Sequence, residues 1–336
     1  MGEITLSLDE VERLAAEALA RAGAVPAQAG PVARSIRAAE RDGIRSHGLL
    51  YLPIYVEHLH CGKVRGDAVP QADQPCPATV AVDAAHGFAH PAIDAGWPLV
   101  EAAARRQGIA AMVLRRSYNC GVLGHHAMRA AEAGLVGLCL THAPASIAPP
   151  GGRAPVIGTN PFALAVPDGR GGARIAIDQS ASVVAKSEIL LRARRGEAIP
   201  PGWALDADGQ PTTDADAALK GSMLPAGGHK GFGVGLMVEL LASALAGAVS
   251  SREASPFSGP VGGPPATGQC FILIDPEGFD AAGFLDRIEA LACAIEDQPG
   301  AHLPGSGRAA KRAAVAASGV RVEADLMARL EALRAA

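Results

Sequence analysis

The stretch LPAGGHKGFGVGLMVELL, residues 224–241, decides the class of fold. Gly227 and Gly228 precede His229, Lys230 and Gly231, and an apolar helical run follows. A Rossmann dinucleotide site needs GxGxxG between a strand and a helix, with an acidic residue about twenty positions on. Here the glycines that open the helix fall at 231, 233 and 235, so that plan is not met. Glycines at a helix entrance still permit close backbone approach, the helix N-terminus favours an anion, and Lys230 adds a point charge. The apolar run continues to Ala248 with Glu239 inside it. It is shorter than the roughly twenty residues of a membrane span, so 231–248 reads as a buried helix.

Outward from this helix, strands and helices mix. Ser7, with Glu10 three residues on, predicts a capped first helix. Further helices are expected over 27–41, 46–59, 90–106, 183–195, 279–295 and 323–334. Strands are expected at 79–83, 108–115, 135–141, 162–166, 175–178 and 268–274. Residues 66–80, 199–214 and 249–268 are rich in proline, glycine or polar residues and read as connectors. The fold class is mixed α/β.

The chain has 336 residues, 49% hydrophobic and 19% charged, with a formal net charge of −4. That balance gives no broad drive toward nucleic acid or a membrane surface. The run Arg192-Ala193-Arg194-Arg195 reads as a solvated helix face. The N-terminus lacks a basic segment followed by an apolar one, the pattern of a secretory signal. None of the six cysteines forms a CxxC pair, so free thiols in a reducing cytoplasm are expected, with no metal site.

Six segments fall in one order along the chain: AERDGIRSHG (39–48), GGRAPVIGTNPFALAVP (151–167), IDQSAS (177–182), WALDADGQPTTD (203–214), LPAGGHKGFGVGLMVELL (224–241) and LPG (303–305). Together they resemble the malate/L-lactate dehydrogenase family of the non-Rossmann type. The resemblance implies that family's own NAD(P)-binding fold, built on a largely antiparallel sheet, and a homodimer. It divides the chain into a helical N-terminal part (1–75), a cofactor-binding and catalytic core (76–300), and a C-terminal segment returning to the N-terminal part (301–336).

Reduction of a carbonyl leaves an alkoxide that must take a proton, and histidine titrates near the working pH. The resemblance places the catalytic pair on Ser46 and His47; on residues alone, a helix cap at Ser46 is the bland alternative. Relatives commonly carry an arginine where this chain has Tyr51, and a histidine where it has Asn119. Arg45 or the backbone around Gly152 is therefore expected to hold a substrate carboxylate, and Thr159 to touch substrate. Asn119 is expected at the reacting centre. Either His47 transfers the proton alone, the favoured reading, or His125 or His126 compensates. Asp206 is expected near the active site, with an Asx turn as its alternative.

By the same resemblance, Asn160, Asp178, Ser180, Ser182, Lys186, His229, Lys230, Gly231, Leu303, Pro304, Gly305 and Arg308 meet the cofactor. That cofactor is NADPH or NADH, with basic residues around 186–195 leaning toward NADP. The expected activity interconverts a small 2-oxo acid and 2-hydroxy acid. A sulfopyruvate-like substrate is one form of it, with Arg45, Arg116 and Lys186 facing two anionic groups. Reduction of a cyclic imino acid is the alternative, and a non-catalytic dinucleotide-binding protein is the reading from another class.

Overall fold

Strand β1 (Glu3–Leu6) opens the chain, and Ser7 caps helix α1 (Leu8–Arg21). The cap is reciprocal: Ser7 Oγ accepts the Glu10 N–H at 3.2 Å, and the Glu10 carboxylate accepts the Ser7 N–H at 2.8 Å. This computed structural model describes residues 2–279 and 282–335. Helices α2 (Pro26–Arg41) and α3 (Leu52–His60) follow. The expected helix over 46–59 is broken: Arg45–His47 form one 3-10 turn, and α3 begins only at Leu52. Pro53, which lacks an N–H, sits in the first turn of α3, where no intrahelical partner is lost.

The middle of the chain builds the main sheet. Its elements are β2 (Gln71–Cys76), β3 (Thr79–Asp83), α4 (Ala89–Gln107), β4 (Ile109–Ser117), α5 (Leu123–Glu132), β5 (Val136–Thr141), β6 (Phe162–Pro167) and β7 (Ala173–Gln179). There follow α6 (Lys186–Arg195), β8 (Ala204–Leu205), β9 (Pro211–Thr212), α7 (Ala215–Lys220), β10 (Ser222–Met223) and α8 (His229–Glu239). The chain closes with β11 (Thr267–Ile274), α9 (Phe284–Glu296), α10 (Gly307–Ser318), β12 (Val320–Glu323) and α11 (Ala324–Ala335).

Seven strands pair in the order β2-β3-β4-β11-β5-β6-β7. Every pairing in it is antiparallel except β3 with β4. Helices α4 and α5 lay Ile93, Trp97, Ala127 and Ala130 over one face, against Met112, Leu114 and Phe271. A second core joins the two ends of the chain, with β1 pairing to β12 and Leu14, Leu19, Ile36 and Leu330 buried together. A third, small core sits under β8, β9 and β10.

Several expectations are corrected here. The connector 66–80 contains β2, an edge strand that tolerates Pro75. The polar loop 199–214 contains the β8–β9 hairpin. The helix expected over 279–295 crosses residues 280 and 281, which lie outside the described residues; the helix itself is Phe284–Glu296. The helix at 231–248 is buried on one face only, through Gly235, Val238, Ala242 and Ala246. Helix α8 passes at Glu239 into a π-helical turn, Leu240–Ala244, and Leu236, Met237, Leu240 and Leu245 are exposed. Among the described residues, no helix is long and apolar enough to cross a membrane.

Candidate active site

Glu40, on the last turn of α2, is buried. After Gly43 (φ +71°) the chain doubles back over it as the 3-10 turn carrying Ser46 and His47. Glu40 Oε1 accepts the Leu49 N–H at 2.7 Å. A Cβ on Gly48 would stand 2.1 Å from that oxygen, so the turn needs glycine there. Burial holds the Glu40 carboxyl above the usual carboxylate range, against the Leu49 bond and the nearby Arg45 charge.

On the outer side of the turn, Ser46 Oγ lies 3.1 Å from His47 Nδ1. That contact leaves Nε2 as the ring nitrogen free to meet another molecule. Burial, and then the neighbouring His125, keep the His47 pKa below the ordinary histidine value. The Tyr51 ring stacks beside His47, with centroids 6.4 Å apart and planes 10° from parallel.

Asp42 ties this turn to the rest of the site. Its side chain is fully buried and accepts from Arg312 at 2.8 and 2.9 Å, from Arg41 at 2.9 Å and from His125 Nε2 at 3.2 Å. Despite its burial, these donors hold the Asp42 carboxyl far below the usual range. Helix α5 is thereby docked with His125 beside His47. His126 points the other way: its Nε2 donates to the Cys120 carbonyl at 2.9 Å, its ring packs on Phe271, and burial pushes its pKa down to about 4.

Asn119 lies between β4 and α5. Its Oδ1 accepts the Gly121 N–H at 2.7 Å, which turns its Nδ2 outward. The Tyr51 hydroxyl lies beside the Asn119 amide and the Tyr118 phenol, and burial pushes the Tyr51 pKa up to about 12. Arg116, proposed from sequence to face an anionic substrate, is instead paired with Asp83, as is Arg115. Arg45 donates to the Arg321 carbonyl at 2.6 Å. The Gly152 N–H is spent on the Pro149 carbonyl at 2.8 Å, closing a turn rather than an anion nest.

The opposite wall runs along the end of β7. Asp178 accepts the Gly124 N–H at 2.9 Å, with Arg308 and His125 close enough to act on its charge. The Pro304 carbonyl accepts the Ala176 N–H at 3.1 Å, which seats Leu303-Pro304-Gly305 on the sheet edge. Beyond Asp178, Ser180 and Ser182 bond through their hydroxyls at 2.9 Å. The Thr159 carbonyl accepts the Ala181 N–H at 2.8 Å. The serine loop is then laced to 224–226 by Val183 N–H to Leu224 O (3.0 Å) and Ala226 N–H to Ala181 O (2.9 Å).

That lacing delivers the chain to Gly227 and Gly228, with φ of +66° and +63° and no atom within 4 Å of an added Cβ. Helix α8 starts next, with no side-chain cap, and His229 and Lys230 are exposed on its first turn. Uncapped N–H groups, open backbone and a lysine fit the diphosphate of a dinucleotide. Lys186 opens α6 nearby in sequence to the serine loop, and its surroundings lower its pKa by desolvation. Gly231 serves packing: a Cβ there would meet Ala226 O at 2.0 Å.

Two expected contact residues have their side chains engaged within the protein. Asn160 is fully buried in a left-handed conformation (φ +39°); its Nδ2 donates to Gly235 O (2.9 Å) and Glu239 Oε2 (2.8 Å), and its Oδ1 accepts the Ala143 N–H (3.1 Å). It shapes the 158–161 turn, and its side chain keeps no donor free. Asp206 forms the Asx turn, its Oδ1 accepting the Asp208 and Gln210 N–H groups at 3.0 and 2.9 Å. No group of three or more His, Cys, Asp or Glu suited to a metal gathers among the described residues.

Sequence reasoning assigned no role to Glu40, Asp42 or Tyr118. A signal existed for the first two: paired acids at i and i+2 end an apolar-faced helix just ahead of the Ser46-His47 turn.

The sequence model for malate/L-lactate dehydrogenase matches residues 6–331. The Δ1-pyrroline-2-carboxylate reductase of Ancylobacter novellus is 42% identical over 333 residues, covering 98% of this chain and 97% of the relative. The NADP-dependent (2R)-3-sulfolactate dehydrogenase of Chromohalobacter salexigens is 43% identical over 307 residues, covering 91% of each chain. The crystal structure of Δ1-piperideine-2-carboxylate reductase from Pseudomonas syringae superposes with a TM-score of 0.93 at 35% identity, covering 98% of this chain and 99% of that one.

Proposed function

The chain belongs to the malate/L-lactate dehydrogenase family, and on that footing we propose that it is an NADPH-preferring reductase of a small cyclic 2-imino acid. The observation that carries this reading is the pairing of His47 with Tyr51 and Asn119, a polar but uncharged wall at the reacting centre. The nearby arginines 45, 115 and 116 are engaged within the protein, which weighs against a second acidic group on the substrate. Relatives named as pyrroline-2-carboxylate reductases support the imino acid; the sulfolactate dehydrogenase relative supports the 2-oxo acid as the second reading.

A nicotinamide held by these residues would supply hydride chemistry at the substrate carbon. His47 Nε2 gives the accompanying proton to the ring nitrogen, or to the carbonyl oxygen of a 2-oxo acid, and regains one from water. Ser46 holds the ring by Nδ1, and Glu40 holds the turn. His125, anchored by Asp42, sits where it can assist that return. On the opposite wall, Asp178, Ser180, Ser182, His229 and the start of α8 form the dinucleotide side, with Lys186, Lys230 and Arg308 as its cations. Thr159 and Leu303-Pro304-Gly305 complete it. Those cations, and the NADP-dependent relative, support NADPH over NADH.

A homodimer belongs to the same reading: the exposed Leu236, Met237, Leu240 and Leu245 form an apolar stretch beside the α8 site that a second copy would cover. The return of β12 to β1 supports treating 1–75 with 301–336 as one part and 76–300 as the catalytic core. Buried free thiols at Cys120, Cys139 and Cys270 suit a cytoplasmic setting. Oxidation of NADPH by purified protein, across cyclic imino acids and 2-oxo acids, tests the assignment; cofactor binding without turnover would favour a non-catalytic protein.

A further inference from the structure

Helix α8 ends on its one acidic residue, Glu239, where it passes into the Leu240–Ala244 π-helical turn. The Glu239 carboxylate accepts the Ser251 N–H at 2.7 Å, the Ser251 hydroxyl at 2.5 Å and the Asn160 Nδ2 group at 2.8 Å. Both partners hold the turn that carries Thr159. Ser251 Oγ accepts the Gly158 N–H at 3.1 Å, and the Ser251 carbonyl accepts the Ala145 N–H at 2.8 Å. Asn160, buried at φ +39°, gives its other hydrogen to the Gly235 carbonyl at 2.9 Å. Gly158 and Asn160 are thus fixed on either side of Thr159 from the far end of α8.

The near end of α8 reaches the same turn by another route. Ala181, in the serine loop, donates its N–H to the Thr159 carbonyl at 2.8 Å. Its carbonyl accepts the Ala226 N–H at 2.9 Å, just ahead of Gly227 and Gly228. Midway, a Cβ on Gly235 would stand 2.8 Å from Ile157 Cδ1 and 2.9 Å from Ala181 Cβ, so helix, turn and loop lie in close contact. The directions of the Glu239 bonds follow from their partners. A backbone N–H only donates, so Ser251 Oγ takes the Gly158 hydrogen and gives its own to Glu239. Asn160 Oδ1 takes the Ala143 N–H at 3.1 Å, which leaves Nδ2 for Glu239. Glu239 therefore meets donors alone. A glutamine, whichever way its amide turned, would set NH2 against the Ser251 N–H or the Asn160 NH2.

We propose that Glu239 is a positioning residue for hydride transfer: through Asn160 and Ser251 it fixes Thr159 and the serine loop against the helix whose start receives the diphosphate. Glu239 lies ten residues, about 15 Å, beyond the start of α8, so it acts on the shape of the cofactor wall and not on the anion. Asp178 leads into the serine loop and accepts the Gly124 N–H at 2.9 Å, beside His125, so the loop's position bears on the facing wall. A cofactor on a displaced wall keeps its anchored diphosphate and loses the alignment of its reacting carbon, on which the rate depends steeply. This deepens the function proposed above and rests on it for the identity of the cofactor.

The test compares wild type, Glu239→Gln, Asn160→Gly and the double variant. Asn160→Gly removes the amide at a left-handed position that suits glycine, so it carries the test if Glu239→Gln does not fold. Without cofactor, amide hydrogen exchange in the peptide containing Gly158 and Thr159 should speed up at least tenfold in each variant. The Kd for NADPH should stay within threefold of wild type, which also shows that the variants are folded. The fluorescence lifetime of bound NADPH should shorten, because the dihydronicotinamide is held less firmly. Single-turnover hydride transfer to a cyclic imino acid should slow at least tenfold, and the double variant should be no slower than the worse single one. Wild-type exchange and lifetime in folded Glu239→Gln, or losses of rate that multiply in the double variant, overturn the proposal. So does a loss of NADPH affinity as large as the loss of rate, which would make Glu239 an anchor of α8 alone. A wild type that turns over no imino or 2-oxo acid removes the proposed function, and exchange and lifetime then still decide the role of Glu239.

Discussion

Glu40 Oε1 accepts the Leu49 N–H at 2.7 Å from beneath the turn that carries Ser46 and His47. The hydrogen bond is short because Gly48 leaves no Cβ in the way. Gly48→Ala should push the carboxylate aside and leave a buried N–H unpaired, costing about 1–3 kcal/mol of stability. Because the same shift moves His47, activity should fall more than stability predicts. Glu40→Gln keeps an acceptor and should be far milder than Glu40→Ala. Urea unfolding and steady-state rates on the three variants check this; a Gly48→Ala protein with wild-type rates would remove Glu40 from the account.

A proton donor must be protonated, and burial beside His125 lowers the His47 pKa from the ordinary value. The protonated form is present below that lowered pKa and is lost as pH rises through it. The pH profile of kcat/KM for reduction should therefore fall with rising pH, with a midpoint below about 6.5. His125→Asn removes the opposing charge and should move the midpoint upward. A midpoint that stays in place in His125→Asn would show that the two rings do not interact.

Buried His90 and His126 have pKa values pushed down to about 3 and about 4 by desolvation. In the unfolded chain both take protons at about 6.5. As pH falls below that value the unfolded state binds more protons, so stability is lost with acid. Each histidine contributes a slope of about 1.4 kcal/mol per pH unit until its folded pKa is reached. Denaturant midpoints at pH 7, 6 and 5 measure it. A stability curve that is flat over that range would contradict the burial of these rings.

Replacing Lys230 by alanine removes a point charge from the uncapped start of α8. The KM for NADPH should rise about tenfold, the scale of one charge-assisted contact. Gly228→Val, at φ +63°, should do more, because the backbone itself must change. Cofactor titration by fluorescence reads both, and unaltered affinity in the two variants would place the dinucleotide elsewhere.

Much of the fold was legible because the strands at 79–83, 136–141, 162–167 and 267–274 are apolar runs bounded by turn residues. The Ser7–Glu10 cap declared α1 in the same way. What escaped were short partners whose meaning is tertiary: β1 exists because β12 returns to it, and β8 and β9 exist because β10 joins them. Exposure along α8 escaped too, since an apolar run reads alike whether one face or every face meets a core. At the site, the resemblance supplied the residues and their order. It did not supply which polar groups are spent: Asn160, Asp206, Gly152 and Arg116 each have the right chemistry and have committed it within the protein. Nor could spacing alone reveal that Tyr118 is hydrogen-bonded to His58, sixty positions away in the chain.

The central claim is that His47, Tyr51 and Asn119 form the reacting wall of a cyclic imino acid reductase. Its most direct test is kcat/KM, with NADPH and NADH, for Δ1-pyrroline-2-carboxylate, Δ1-piperideine-2-carboxylate, pyruvate, oxaloacetate and sulfopyruvate, for wild type and His47→Ala. The account predicts that a cyclic imino acid with NADPH gives the highest value, and that His47→Ala loses at least a hundredfold of it with cofactor affinity kept. A 2-oxo acid as the best substrate, or full imine turnover in His47→Ala, would contradict it.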